Sequence, residues 1–257
     1  MTAIGRRADT AMPARETEAI ILRGYPLGEA DRLVSFLSRL SGKMRGVAAG
    51  ARRLKNRFGA TLETLSYVRM WYHERETREL VRIQQCELIE SFLEAQQDYQ
   101  LNRGLAMISE TTEAVLPERE ASDAVLRLAL MTARAIAQEK RIDLPLAYFA
   151  FWMVRLGGWL PPLDRCAQCG KAFGSQASFH GPFHAGFFCV SCRQSGMAAF
   201  LPEGRALTER FAVEKLADLK GLKSANGSLL ELREAMLDQI EYHVEKPLAT
   251  RKILGTE

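Results

Sequence analysis

The sequence predicts an α+β protein: an N-terminal OB-fold β-barrel, then an α-helical bundle with an inserted four-cysteine, zinc-ribbon-like element. Three observations support this prediction. Short alternating segments fill residues 18–90, helical periodicity follows, and two C-x2-C pairs interrupt the helices. We divide the 257 residues into a flexible arm (1–15), the OB-fold (16–90), the helical bundle (91–160), the zinc-binding insert (161–200) and C-terminal helices that complete the bundle (201–257).

Five short segments, each bounded by turn residues or charges, predict the barrel. These candidate strands cover residues 19–25, 32–40, 43–49, 65–73 and 79–89. Five strands with the longest connection after the third are typical of an OB-fold. Period-2 alternation in the fourth strand turns Val68 and Met70 into the barrel, and Tyr67, Arg69 and Trp71 outward.

Helical periodicity begins after residue 90. One face of a first helix repeats over residues 101–115, and Pro117 ends it. Further helices are expected over 122–139 with Ser122 as N-cap, over 143–157, over 204–219, and from an Asn226 cap to near Pro247. In the third helix, one apolar stripe is expected to face the core: Phe149, Trp152, Met153 and Leu156.

Positive charge is concentrated near the N-terminus. Residues 1–60 hold twelve Lys/Arg against five Asp/Glu, whereas the other 197 residues hold 23 against 26. This asymmetry indicates either a polyanion-binding surface or an ordinary solvated basic face. Aromatic residues interleaved with cations are typical of single-strand binding, because bases stack on rings while cations follow phosphates. The candidate nucleic-acid residues are Arg32, Lys43, Arg45, Arg52, Arg53, Lys55, Arg57, Phe58, Tyr67, Arg69 and Trp71. The alternative is that Tyr67 and Trp71 pack under the helices.

Four of the five cysteines form a C-x2-C-x19-C-x2-C pattern, made by Cys166, Cys169, Cys189 and Cys192. Two such knuckles complete a tetrahedral Zn2+ site, and four thiolates leave no open position for catalysis. We therefore expect a structural zinc rather than disulfides, an iron–sulfur cluster or a catalytic metal. His180 and His184 are less favoured ligands, and Cys86 is expected to be a buried hydrophobe.

The sequence contains no Walker A run and no GxSxG motif, so we expect no enzymatic activity. Glu29 and Asp31 are close together, but Arg32 follows at once, which favours a turn or a salt bridge over a metal site. No apolar window reaches membrane-spanning length and the first 15 residues lack the apolar core of a secretory signal. We expect a cytoplasmic, nucleoid-associated protein.

The order of these parts resembles the RecO family of bacterial recombination mediators. The resemblance rests on residues 28–33, on the runs 50–53 and 57–59, on the cysteine knuckles after a helical segment, and on Lys246-Pro247-Leu248 with Arg251-Lys252. It implies binding of single- and double-stranded DNA, annealing of complementary strands, and cooperation with RecR in loading RecA onto DNA coated by single-stranded DNA-binding protein.

Protein partners are expected at the C-terminal end. We predict that Lys246, Arg251 and Lys252 bind the acidic, apolar C-terminal tail of single-stranded DNA-binding protein, because cations beside an amphipathic helix suit such a peptide. The alternative is an ordinary terminal helix that closes the bundle. A different class of function also remains open at this point: a zinc-ribbon and OB-fold protein that binds RNA or assists transcription.

Overall fold

The structure, a computed structural model, describes residues 14–75, 79–222 and 227–254. Most of the predicted arm (residues 1–13) and the predicted cap Asn226 lie outside the described residues. Arg15, which was assigned to the arm, is the first residue of a strand and pairs with Tyr72.

The N-terminal part is a closed five-stranded barrel with strand order β1-β2-β3-β5-β4, as predicted. Its strands are β1 (Arg15–Leu27), β2 (Asp31–Ser38), β3 (Gly42–Ala48), β4 (Tyr67–His73) and β5 (Val81–Glu90). All neighbouring pairs are antiparallel except β3 and β5, which close the barrel in parallel. A Cβ on Gly46 would lie 2.8 Å from a Val81 methyl, so the glycine permits this pairing.

The barrel has its own core, which contains the inward residues of β4. Val68 and Met70 are fully buried there, as the alternation predicts. Cys86 lies in the same core, and burial raises the pKa of its thiol to about 12. Its prediction as a buried hydrophobe is confirmed.

Helices and two short strands make up the rest of the described chain. The helices are α1 (Leu93–Gln96), α2 (Tyr99–Val115), α3 (Asp123–Glu139), α4 (Asp143–Leu156), α5 (Pro202–Val213), α6 (Ser228–Val244) and α7 (Ala249–Leu254); the strands are β6 (Ser178–His180) and β7 (Ala198–Phe200). Ser122 caps α3 as predicted, accepting a bond from the amide of Val125. The helix predicted over 204–219 is instead α5 followed by a separate 3-10 turn at Leu216–Leu219.

Helix α4 is buried on almost every side rather than along one stripe. Phe149 and Met153 are buried as predicted, but Phe151 on another face is equally buried, and Leu156 is 42% exposed. Helices α2, α3, α5 and α6 all pack against α4. The apolar stripe therefore underestimated the burial of this helix.

One side of the barrel rests on α2 and on the turn that follows it. The buried Ser109 hydroxyl donates a hydrogen bond to the Leu22 carbonyl of β1. Lys43 Nζ donates to the Glu113 carbonyl at 2.8 Å, and the Arg119 amide donates to the Lys43 carbonyl at 2.9 Å. These contacts fix the barrel against the helices.

We expect Ser109→Ala to lower the free energy of unfolding by about 1–3 kcal/mol, because the buried Leu22 carbonyl loses its donor. Thr111→Val is the matched control. Among the described residues its buried hydroxyl, on the same helix, has no hydrogen-bond partner, so an apolar replacement should cost little or stabilise the fold. Urea unfolding measures both variants, and equal losses would contradict the role given to Ser109.

Candidate nucleic-acid interface and metal centre

The segment of residues 50–59, called here the basic loop, is tied to the β1–β2 turn. Asp31 Oδ1 accepts the Gly50 amide at 2.8 Å. The Arg52 amide donates to the Ala30 carbonyl at 2.9 Å, and Arg52 Nη1 donates to the Gly28 carbonyl at 2.8 Å. Asp31, the first residue of β2, therefore stabilises the junction between the turn and the basic loop, and the run 28–33 holds the start of that loop.

Phe58 holds the other end of the basic loop. Its ring is only 2% exposed and belongs to the barrel core. Asn56 Oδ1 accepts the Phe58 and Gly59 amides at 2.9 Å, and the Arg57 guanidinium lies 4.9 Å from the Phe58 ring centroid. The expectation that Phe58 stacks on bases is corrected, because the ring has no exposed face.

The four cations of the basic loop are exposed and free of carboxylates. Arg52, Arg53, Lys55 and Arg57 all face solvent. Within the described parts of the chain, none of them forms a salt bridge. The loop therefore presents uncompensated positive charge on a backbone anchored at both ends.

The other predicted cations are engaged with acidic or carbonyl groups on the barrel. Arg32 pairs with Glu63 at 3.0 Å, Arg45 with Glu118 at 3.0 Å, and Arg69 with Glu16 at 3.5 Å. Lys43 reaches the α2 carbonyl described above, and burial lowers the pKa of its amine. The predicted cations thus fall into two groups. Those of the basic loop have no carboxylate partner among the described residues, whereas those on the barrel strands are bound to a carboxylate or a carbonyl.

The two aromatic residues of β4 differ in accessibility. Tyr67 is 7% exposed, lies in the core shared with the helices and donates its hydroxyl to the Glu18 carboxylate. Burial raises the pKa of Tyr67 to about 12, and the hydrogen bond to Glu18 makes a second, smaller contribution in the same direction. Trp71 is half-buried, and its indole donates to Glu16 Oε2 at 3.2 Å. Tyr67 faces out of the barrel, as the alternation predicts, but the helices cover it. The expectation that Tyr67 stacks on bases is therefore corrected, and the alternative of packing under the helices applies to it.

The four predicted cysteines form one cluster, the cysteine centre. Their Sγ atoms all lie within 4.8 Å of one another, and the Cys169 and Cys189 sulfurs are 3.8 Å apart. A tetrahedral Zn–S bond length of about 2.3 Å requires sulfurs about 3.8 Å apart. The donor set and its spacing are therefore compatible with a metal site.

Local backbone geometry turns each cysteine pair towards the other. The Gly170 amide donates to the Cys166 carbonyl at 2.9 Å, and Gly170 has φ +72°, which favours glycine. The Cys192 amide donates to the Cys189 carbonyl at 3.0 Å. Although burial opposes ionisation, backbone amides lower the pKa of the Cys166 thiol to about 6. A thiolate is the form that binds a metal.

Neither candidate histidine belongs to this cluster. His180 is buried, and its Nδ1 lies 2.6 Å from Asp238 Oδ2 on α6. His184 Nε2 lies 3.0 Å from the Gln194 side-chain oxygen. Each imidazole is engaged elsewhere, so neither joins the four thiols.

Arg251 is a structural residue rather than part of a free basic tail. Its guanidinium lies 2.9 Å from Glu234, 2.6 Å from Asp238 and 2.6 Å from Glu241. Burial of the guanidinium favours a lower pKa, but the attraction of these carboxylates is stronger in sum and raises the pKa of Arg251. The prediction that Arg251 binds a partner is therefore corrected, whereas Lys246 and Lys252 are exposed.

An arginine-rimmed apolar groove lies on α3 and α4, and it was not predicted from the sequence. We call it the arginine groove; its cavity of about 530 Å3 is lined by Arg39, Arg127, Met131, Arg134, Trp152 and Leu156, among others. The sequence of α3 contains a pattern that indicates this groove: Arg127, Met131 and Arg134 are spaced i, i+4 and i+7, so they share one face of the helix. Each arginine has an exposed ion pair, with Glu18, Asp123 or Glu90.

A closed OB barrel with an exposed basic loop, joined to helices and a four-thiol centre, defines an OB-fold protein of the α+β class with a metal-ligating element. Residues 12–92 match the family model described as Recombination protein O N terminal, and residues 96–252 match Recombination protein O C terminal. The chain belongs to the RecO family of DNA repair proteins. None of the helices in the described residues is long and apolar enough to cross a membrane.

Three relatives, each named DNA repair protein RecO, align along most of the chain. The Koribacter versatilis protein is 36% identical over 240 residues, covering 93% of this chain and 98% of the relative. The Syntrophobacter fumaroxidans protein is 30% identical, covering 95% and 98%. The Nocardioides protein is 34% identical, covering 81% and 88%.

We expect Asp31→Ala to loosen the basic loop, because the Gly50 amide loses its acceptor. Trypsin should then cleave the folded protein faster after Arg52 and Arg53. Glu29→Ala is the matched control, since Glu29 is an exposed acid in the adjacent β1–β2 turn, two residues before Asp31. Timed digestion with mass spectrometry measures the cleavage, and equal rates for the two variants would contradict the anchoring role.

Proposed function

We propose that this protein is a recombination mediator in DNA repair. It binds single- and double-stranded DNA through the basic loop, anneals complementary strands and acts with RecR to load RecA onto DNA coated by single-stranded DNA-binding protein. The single observation that carries the proposal is the anchored loop with four uncompensated cations on an OB barrel. Membership of the RecO family supports it.

The proposed mechanism is electrostatic and involves no covalent step, so the protein acts without being an enzyme. Two DNA strands repel each other through their phosphates, and cations that displace bound counterions reduce this repulsion. Contacts to phosphates leave the base edges free to pair. Trp71, which keeps an exposed part of its ring, is the one predicted aromatic residue still placed to stack on a base.

Replacing the loop cations should weaken DNA binding and its salt dependence. In the variant Arg53→Ala, Lys55→Ala, Arg57→Ala, each lost phosphate contact should flatten the slope of log K against log salt by about 0.7–0.9. Arg52 stays in place because it also holds the loop. Fluorescence anisotropy with a labelled oligonucleotide at several salt concentrations measures the slope.

The matched control replaces three cations that are paired on the barrel: Arg32→Ala, Arg45→Ala, Arg69→Ala. It removes the same charge from the same barrel, but each of its cations is paired with a carboxylate that competes with phosphate. We expect a smaller change in slope for this control. Equal slopes for the two triple variants would reject the basic loop as the main DNA contact.

The alternative is an RNA-binding or transcription accessory protein, and strand annealing separates the two. The proposal predicts that the protein speeds annealing of complementary DNA strands and that the loop variant loses this activity. Tight binding of matched RNA, with no annealing of DNA, would favour the alternative. We propose a cytoplasmic protein that associates with the nucleoid through its DNA contacts.

We propose that the cysteine centre holds one structural Zn2+. The purified protein should contain one zinc per chain by elemental analysis, and Cys169→Ser should lose the metal and lower the unfolding temperature. Cys86→Ala is the matched control, because this cysteine lies in the barrel core. Retention of zinc by Cys169→Ser, or its loss from Cys86→Ala, would contradict the assignment.

We propose that the acidic, apolar tail of single-stranded DNA-binding protein binds in the arginine groove rather than on the C-terminal surface. The groove combines apolar walls with three arginines, whereas Arg251 is already neutralised within the fold. Its exposed ion pairs are weak enough to be exchanged for the carboxylates of a peptide.

Charge reversal at Arg127 tests this placement. We expect Arg127→Glu to weaken binding of the tail peptide about tenfold or more, because a charge-assisted contact is replaced by repulsion. The control is Lys246→Glu with Lys252→Glu, which alters the exposed C-terminal cations. Isothermal titration measures both, and loss of binding in the control alone would place the peptide on the C-terminal surface.

A further inference from the structure

A second cavity lies where α2 begins, where α3 is followed by α4, and where α6 meets α7. We call it the C-terminal cavity; its volume is about 650 Å3, which suits a small organic ligand. It shares no lining residue with the basic loop, the cysteine centre or the arginine groove. Nothing in the proposed mediator function uses it.

Positive charge converges on this cavity. Arg103, Lys140, Arg141 and Arg233 line it, against the two acids Asp143 and Glu234. Glu234 also binds Arg251, at 2.9 Å, so its charge is shared between two guanidinium groups. Cations outnumber acids in this lining two to one, and both acids are paired within it: Asp143 with Arg141 at 2.6 Å and Glu234 with Arg233 at 3.1 Å.

Two of these cations are deeply buried. Arg103 and Arg233 are each 6% exposed. Arg233 pairs with Glu234 at 3.1 Å and Arg103 donates to the Gln100 side-chain oxygen at 3.0 Å, and a bound anion would add its charge to these contacts.

The remaining walls are aliphatic, formed by Leu101, Ile142 and Leu230 among others. Several cations above such walls suit a ligand with a multiply charged end and a less polar body. Phosphate fits the charged end, because the arginine fork matches phosphate oxygens in a bidentate way. After these pairs are counted, the lining keeps an excess of two positive charges, which a phosphate monoester matches better than a single carboxylate does.

Lys140 is the lysine of this lining, and its backbone conformation is unusual for a residue with a side chain. It ends α3 with φ 52°, in the left-handed region where glycine is the preferred residue. A lysine there costs backbone stability but places an ammonium group at the mouth of the cavity.

We propose that the C-terminal cavity binds a terminal phosphate group, with the attached nucleoside lying against the aliphatic walls. The phosphate comes either from a free nucleotide or from the 5′ end of a DNA strand. This site is separate from the basic loop, so its failure would leave the proposed mediator function untouched.

The test compares ligands with and without the terminal phosphate. Binding of a 5′-phosphorylated pentanucleotide and of the same strand with a 5′-hydroxyl is measured by titration at constant ionic strength, and ATP is tested by the shift in unfolding temperature. The variants of the full chain are Lys140→Gly and Arg233→Met. The control is Lys252→Ala, an exposed lysine on the adjacent α7 that does not line the cavity.

We expect a clear preference for the phosphorylated ligand and a loss of about fivefold in affinity in Lys140→Gly. The same variant should unfold at an equal or higher temperature than the wild type, because glycine relieves the left-handed residue. That combination separates binding from folding, even if Arg233→Met folds poorly. The control should bind as the wild type does.

The two ligand arms identify the source of the phosphate. Stabilisation by ATP without discrimination between the strands points to a free nucleotide, and discrimination between the strands points to a strand end. No effect of phosphate in either arm, or an equal effect in Lys140→Gly and wild type, would overturn the proposal. So would stronger stabilisation by an acidic peptide than by ATP.

Discussion

Burial of α4 is the constraint on which the arrangement of the other elements depends. A helix that is apolar on nearly all faces is stable in water only when other elements surround it. Each fully buried Phe or Leu side chain contributes about 1.5–3 kcal/mol, so Phe149, Phe151 and Leu146 together outweigh most single contacts in the fold. The core that contains α4 also includes Tyr67 of the barrel and Phe187 of the cysteine-bearing insert. Barrel, helices and insert therefore share one core, and the barrel's inner core is separate.

The insert is also joined to the helices by buried charge. Asp238 on α6 contacts His180 of the insert with one oxygen, at 2.6 Å, and Arg251 of α7 with the other, also at 2.6 Å. Removing one member of such a buried group leaves the others uncompensated, which costs more than the group contributes as a whole. The cysteine centre is thus held in register with the C-terminal helix, and a residue that resembled a free basic tail is part of the framework.

The basic loop exposes four cations on a backbone that is anchored at both ends. Its ends are fixed by Asp31 and by the buried ring of Phe58, so the cations between them start from a restricted backbone. A restricted loop loses less conformational entropy when it binds a polyanion. On the neighbouring barrel surface Arg32, Arg45 and Arg69 are each paired with a carboxylate, whereas the cations of the loop are not.

Features that depend on local pattern were predictable. Strand alternation identified the five-stranded barrel, Ser122 identified the start of α3, and the spacing of the four cysteines identified their cluster, because backbone geometry and ligand spacing act over a few residues. Which side chains reach solvent or a partner was decided only by tertiary packing. Tyr67, Phe58 and Arg251 carry the residue types of a binding surface, yet contacts with residues distant in sequence bury or neutralise them. Conversely, only the packing of distant helices brings Arg103, Lys140 and Arg233 around one cavity.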